Sequence, residues 1–157
     1  MSQIRETAGS PSGAGRRIGI VASRFNGLLV EQLVAAAVDC LRRHGVEPSD
    51  IHLVRVPGAW EIPAALEELA AGGVVDALVA LGVVIRGETA HFDLICAECA
   101  RGIAGVTERH RIPVGFGVLA CETTTQAEER AAGKSGKGWE AALAALEMAD
   151  LFARLRD

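Results

Sequence analysis

The sequence predicts an α/β fold in which a parallel sheet is covered by helices on both faces. Short β-branched apolar runs alternate with segments of helical period along the whole chain. The run "DALVALGVVI" at 76–85 is continuously apolar, as a parallel strand buried on both faces must be. A strand–helix unit repeated four times also requires right-handed crossovers, which place successive strands side by side and parallel. The 157 residues suit one domain, and half of them are hydrophobic. With no Tyr and few other aromatics, the core must be built from Val, Leu, Ile and Ala.

The elements follow in order. Residues 1–16 are rich in Gly, Ser and Pro and read as a flexible N-terminal tail, leaving 17–157 as a single domain. "RIGIVAS" (17–23) reads as the first strand. From Leu28 to Arg43, Leu29, Leu33, Ala36, Ala37, Cys40 and Leu41 recur at helical spacing, and Gly45 supplies a stop. "DIHLVRV" (50–56) alternates as a strand does, "PGAW" makes a turn, and Pro63 suits the first turn of a helix reaching about Ala71. The strand at 76–85 is followed by a helix over about 90–110 and a fourth strand, "PVGFGVL" (113–119). Thr125 and Glu128 have the spacing of a capping box for a short helix. "GKSGKG" breaks the chain before a last helix over about 139–155.

Composition narrows the function classes. A net charge of −4 argues against a nucleic-acid partner, which usually meets a basic face. No apolar stretch reaches the roughly 18 residues of a membrane span. The opening "MSQIRETAGSPSGAGRR" has no apolar segment, so no signal peptide is expected. A cytoplasmic protein with four Cys as thiols is the expectation. Cys96 and Cys99, three apart within a helix, read as small packing residues, and no metal site is expected.

In a sheet of this kind ligands bind beyond the carboxyl ends of the strands. Those ends read "SRFNG" (23–27), "PGAWEIP" (57–63), "RGETAHFD" (86–93) and "ACETTT" (120–125). Phe25 and Trp60 are large aromatics in loops, to be covered by a planar ligand, by a neighbouring subunit, or by the rim of the core. Gly87, Glu88 and Thr89 open a helix, where free N–H groups and the helix dipole suit an anion. Thr89 either caps that helix or offers its hydroxyl to the anion. His91, in the first turn, is placed to move protons or is a plain surface residue. Arg86 reads as structural, pairing with Glu88 or with a neighbouring chain. Arg130, Lys134 and Lys137 lie in eight residues around glycines. They suit either a phosphate or the dipole of a solvated helix end.

"IVASRFN", "VRVPGAWEIP", "GVVIRGETAHFD", "FGVL", "QAEERA" and "KGWEAALAALEMADLF" together resemble the lumazine synthase family, in order and spacing, from about Arg17 to Phe152. The resemblance implies a flavodoxin-like three-layer sandwich on a four-stranded parallel sheet. It implies the condensation of 5-amino-6-(D-ribitylamino)uracil with 3,4-dihydroxy-2-butanone 4-phosphate to give 6,7-dimethyl-8-ribityllumazine, phosphate and water. It implies no cofactor and no metal. It further implies active sites shared between subunits of a homopentamer, which in some members builds a decamer or a sixty-subunit shell, with riboflavin synthase as a candidate partner.

Residue roles follow from the same resemblance. Phe25 matches the aromatic that stacks on the pyrimidine. Ala59, Trp60 and Glu61 match the segment beside the ring and the ribityl chain, with Glu61 binding ribityl hydroxyls. Glu88 and Thr89 match the phosphate turn, and His91 the proton-transfer residue. Phe116 and Arg130, from the neighbouring subunit, match the aromatic of the far wall and the phosphate-binding arginine, and Lys137 a lysine that reaches the substrates. The chain departs from the family at "KSGKG", one residue short of the usual "K-x-G-N-K-G", so Lys134 is a second candidate for that last task. Two other functions fit the residues less well. A flavin-binding module of flavodoxin type would need a Ser/Thr/Gly-rich phosphate loop where "SRFNG" stands. An inactive shell-forming protein would not need Glu61, His91 and Arg130 together.

Overall fold

The computed structural model describes residues 3–157. Four strands, β1 (Ile18–Ser23), β2 (Ile51–Val56), β3 (Ala77–Ile85) and β4 (Val114–Cys121), form one sheet in the order β2-β1-β3-β4. All three pairings are parallel, from Ile18 opposite Ile51 to Ile85 opposite Cys121. Five helices connect and cover them: α1 (Gly27–Arg43), α2 (Ile62–Ala71), α3 (His91–His110), α4 (Thr124–Ala131) and α5 (Lys137–Arg156).

Pleating divides the core between two faces. Ile20, Ala22, Val79, Leu81 and Val83 pack with Leu33 and Leu41 of α1, Ala127 of α4 and Leu146 of α5. Val21, Leu78, Ala80 and Val118 pack with Leu66 of α2 and Ile103 and Val106 of α3. Burying a Leu or Ile side chain contributes about 1.5–3 kcal/mol, so each face holds its helices by several such contacts. The three-layer sandwich is therefore as expected, and β3, at the centre, is buried over its first seven residues.

Helix α5 approaches its neighbours closely at two glycines. Gly138 of α5 lies against the backbone carbonyl of Leu33 in α1, and Gly115 of β4 against that of Ala141 in α5. A Cβ at either position would overlap backbone. These contacts hold the first half of α5 against α1 and β4.

Two local readings are corrected. The cap of α4 is Thr123, not Thr125: its backbone is extended and its hydroxyl accepts the N–H of Gln126 at 3.2 Å. β4 runs on to Cys121, which brings the turn and the cap closer together. In the 1–16 segment no strand is present among the described residues. Ser10 N–H donates to the Asp150 carboxylate at 2.7 Å, and Gly13 N–H to the His44 carbonyl at 2.7 Å. The Ser10 amide, with Arg154 and Arg16 nearby, holds the Asp150 carboxyl below the usual aspartate range.

Candidate active site

The sheet order places a topological switch between β1 and β3, whose connections leave toward opposite edges and open a crevice at their carboxyl ends. β3 is longer than β1, and their pairing ends at Ala22 opposite Leu81. The flank of β3 beyond Leu81 is left open on that side. Asn26 fills part of the gap: its side-chain amide donates to the Val83 carbonyl at 2.8 Å. Asn26 is left-handed (φ 57°), a conformation Asn tolerates better than most residues. Together with the Phe25 N–H donating to Pro57 (3.1 Å), it fixes the β1–α1 loop over the crevice. Alternation along a strand directs the main-chain polar groups of Ile85 to the same side as those of Val83, toward the opening.

The crevice has a volume of about 840 Å³ and is lined by Phe25, Ala59, Trp60, Glu61, Val83–Ile85, Gly87, Thr89, His91, Phe92 and Glu98, among others. Phe25 is 72% exposed and Trp60 57%, so the rim of the core leaves most of each ring uncovered within this chain. Ala59 is buried beneath them in a short 3-10 turn (Ala59–Glu61). One carboxylate oxygen of Glu61 accepts the Gly58 N–H at 3.0 Å, which orients the group toward the crevice.

The turn after β3 leaves several backbone N–H groups free among the described residues. Ala90, rather than Thr89, stands at the N-cap of α3, and the Thr89 hydroxyl accepts the N–H of His91 at 3.3 Å. Among the described residues the preceding N–H groups, Gly87 to Ala90, have no partner. With the α3 dipole they suit a phosphate. His91 is exposed, and opens α3. Arg86 does not pair with Glu88. Its guanidinium binds Glu122 (2.6 Å) and Asp93 (3.1 Å) instead, because the turn carries Glu88 into solvent while β4 brings Glu122 alongside. Glu88 does not line the crevice.

Three of the expected residues lie elsewhere in the chain. Phe116 stands on the edge strand β4, 43% exposed. Arg130, in the last turn of α4, donates one N–H to the Gln126 carbonyl at 2.9 Å and is otherwise exposed. Lys137 opens α5 and binds Glu140 at 3.0 Å. Lys134 sits over the Trp139 ring, 5.5 Å from its centroid. None of the four lines the crevice. Burial pushes the thiols of Cys40 and Cys99 up to about 11, and those of Cys96 and Cys121 upward. No thiolate nucleophile is poised here. Among the described residues no group of three His, Cys, Asp or Glu side chains could hold a metal, and no helix is long and apolar enough to cross a membrane.

A family model described as 6,7-dimethyl-8-ribityllumazine synthase matches residues 15–153. The chain belongs to the lumazine synthase family. A relative of that name from Aquifex aeolicus is 54% identical over 149 residues, 94% of this chain and 97% of its own length. Others from Desulfovibrio desulfuricans and Thermococcus kodakarensis are each 48% identical, covering 94% and 99% of this chain and 95% and 98% of their own. Membership places the chain among the transferases of riboflavin biosynthesis, and favours neither a flavin-binding module nor an inactive shell protein. Sequence reasoning missed Val83–Ile85 and Phe92 of the crevice lining, and Asn26, which braces the loop beside it. A third strand longer than the first was the available signal for Val83–Ile85.

Proposed function

We propose that the crevice is one half of a lumazine synthase active site, completed by Phe116, Arg130 and Lys137 of a second copy in a homopentamer acting in the cytoplasm. The supporting observation is the division itself. Phe25, Ala59, Trp60, Glu61, Thr89 and His91 share one cavity, Glu88 stands just outside it on the same turn as Thr89, and Phe116, Arg130 and Lys137 stand apart on β4, α4 and α5. The ribitylaminouracil lies on Phe25, with its polar edge toward the β3 main chain and its ribityl hydroxyls toward the free oxygen of Glu61. The phosphate of the ketone substrate sits on the Gly87–Ala90 turn, opposite the neighbour's Arg130. Larger assemblies and contact with riboflavin synthase, which would consume the product, are compatible with this arrangement.

The chemistry then needs little besides position and protons. The 5-amine attacks the ketone, water leaves to form a Schiff base, phosphate is eliminated, and the ring closes with loss of a second water. Well-oriented reactants reach effective molarities of roughly 10⁵ M or more, so holding both substrates in one crevice supplies much of the acceleration. A placed proton-transfer group adds about 10²–10⁴. His91, beside the anion turn, is that group.

The test is incubation with both substrates while following the absorbance and fluorescence of the lumazine. His91→Ala should lower kcat about 10–100-fold with little change in phosphate affinity, because positioning persists. An unchanged kcat would remove His91 from the mechanism. Phe25→Ala should weaken the ribitylaminouracil by about 1–3 kcal/mol, the range of base–aromatic stacking. If equilibrium titration finds that affinity unaltered, the ring is not stacked on Phe25.

A further inference from the structure

Arg86 is the residue between strand and anion turn that the reaction leaves unused. It does not line the crevice. Its N–H still pairs with the Cys121 carbonyl at 2.9 Å, so its backbone continues the β3–β4 ladder. The guanidinium is engaged on three sides. Nε donates to Glu122 at 2.6 Å, Nη1 and Nη2 donate to Asp93 at 3.3 and 3.1 Å, and the plane lies over the Phe92 ring, 4.4 Å from its centroid.

These partners belong to two different helix starts. Phe92 and Asp93 follow His91 in the first turn of α3, and Phe92 lines the crevice. Glu122 is the residue after β4. Its N–H donates to the Gln126 side-chain oxygen at 2.8 Å, and the next residue, Thr123, caps α4. α4 in turn carries Arg130 in its last turn.

Such half-exposed ion pairs contribute little stability, typically about 0–1 kcal/mol each. What a planar fork adds is direction, since its donors are fixed relative to one another and Lys cannot reproduce them. We propose that Arg86 is a positioning residue, which through Glu122 aims the helix bearing Arg130 at the neighbouring site and through Asp93 and Phe92 sets the first turn of α3 in its own. The inference rests on the reading of Arg130 as a phosphate ligand.

Inorganic phosphate serves as the probe, with affinity measured by equilibrium titration of the assembled protein. Arg86→Lys and Glu122→Gln should each weaken it about tenfold, within the range of coupled neighbours, while assembly mass and Tm stay near the wild type. In an Arg130→Ala background Glu122→Gln should add nothing, because the group it aims is gone. Wild-type affinity in Arg86→Lys or Glu122→Gln would overturn the proposal. So would a Glu122→Gln effect that multiplies in full with that of Arg130→Ala, since a generally loosened structure behaves that way. An Arg130→Ala protein that binds phosphate normally would overturn the reading of Arg130, and the proposal with it, by a result distinct from the other two.

Discussion

Arg130→Ala should lower kcat/KM by roughly 10²-fold or more while leaving the fold intact. The expected size comes from the ligand. A hydrogen bond to a charged group contributes about 1.5–3 kcal/mol, and a guanidinium can offer phosphate two. Among the described residues of its own chain Arg130 meets only the Gln126 carbonyl and a distant Glu129 (3.8 Å), so truncation leaves no buried charge behind. Stability should therefore hardly move. Steady-state kinetics with each substrate varied in turn checks this: the loss should fall mainly on the phosphorylated ketone. An equal loss for both substrates, with a lowered Tm, would make Arg130 a structural residue.

Gly138→Ala should lower stability by a clear margin. In a helix Ala is ordinarily favoured over Gly by about 1 kcal/mol, and at the second position of α5 by less. Against this, the new methyl would overlap the Leu33 carbonyl, with the carbonyl carbon and Cα of Leu33 at 2.9 Å. Those atoms are helix backbone and cannot swing aside as a flexible side chain could. Overpacking typically costs about 1–3 kcal/mol, so the steric cost wins, and α5 must shift away from α1. Lys137 moves with it. Thermal unfolding at fixed protein concentration should show a lower Tm. A raised Tm would mean that helix propensity dominates and that α1 and α5 are less tightly apposed.

The sheet was legible because its signals are local. β3 is continuously apolar, Pro63 marks the start of α2, and Gly45, left-handed at φ 99°, ends α1 as expected. The cap of α4 was less so. Thr123, Thr124 and Thr125 are alike in type, and only the end of β4 decides which one caps. Arg86 was expected to pair with Glu88 or a neighbouring chain; its partner Glu122 was not legible, since it is 36 residues away in sequence and only the β3–β4 register brings it near. The crevice followed from the strand-end rule, whereas Val83–Ile85 did not. An apolar run says that a strand is buried, not that its neighbour stops short of it. Phe116 rested on resemblance alone, and the cluster of Arg130 and Lys137 suited a helix end as well as a phosphate until the resemblance gave them roles. No single chain can display what they do if their ligands lie in another subunit.

That division is the central claim, and reassembly of two damaged proteins tests it most directly. His91→Ala and Arg130→Ala variants are dissociated together, reassembled, and assayed for lumazine formation, with mixed oligomers verified by mass. If each site joins His91 of one subunit to Arg130 of the next, a random head-to-tail ring pairs intact with intact at about one interface in four. Activity should then rise to about a quarter of the wild type, well above either variant alone. If sites lay within single subunits, every chain would carry one lesion and no pairing could repair it. A mixture of verified hetero-oligomers no more active than its inputs would contradict the shared site.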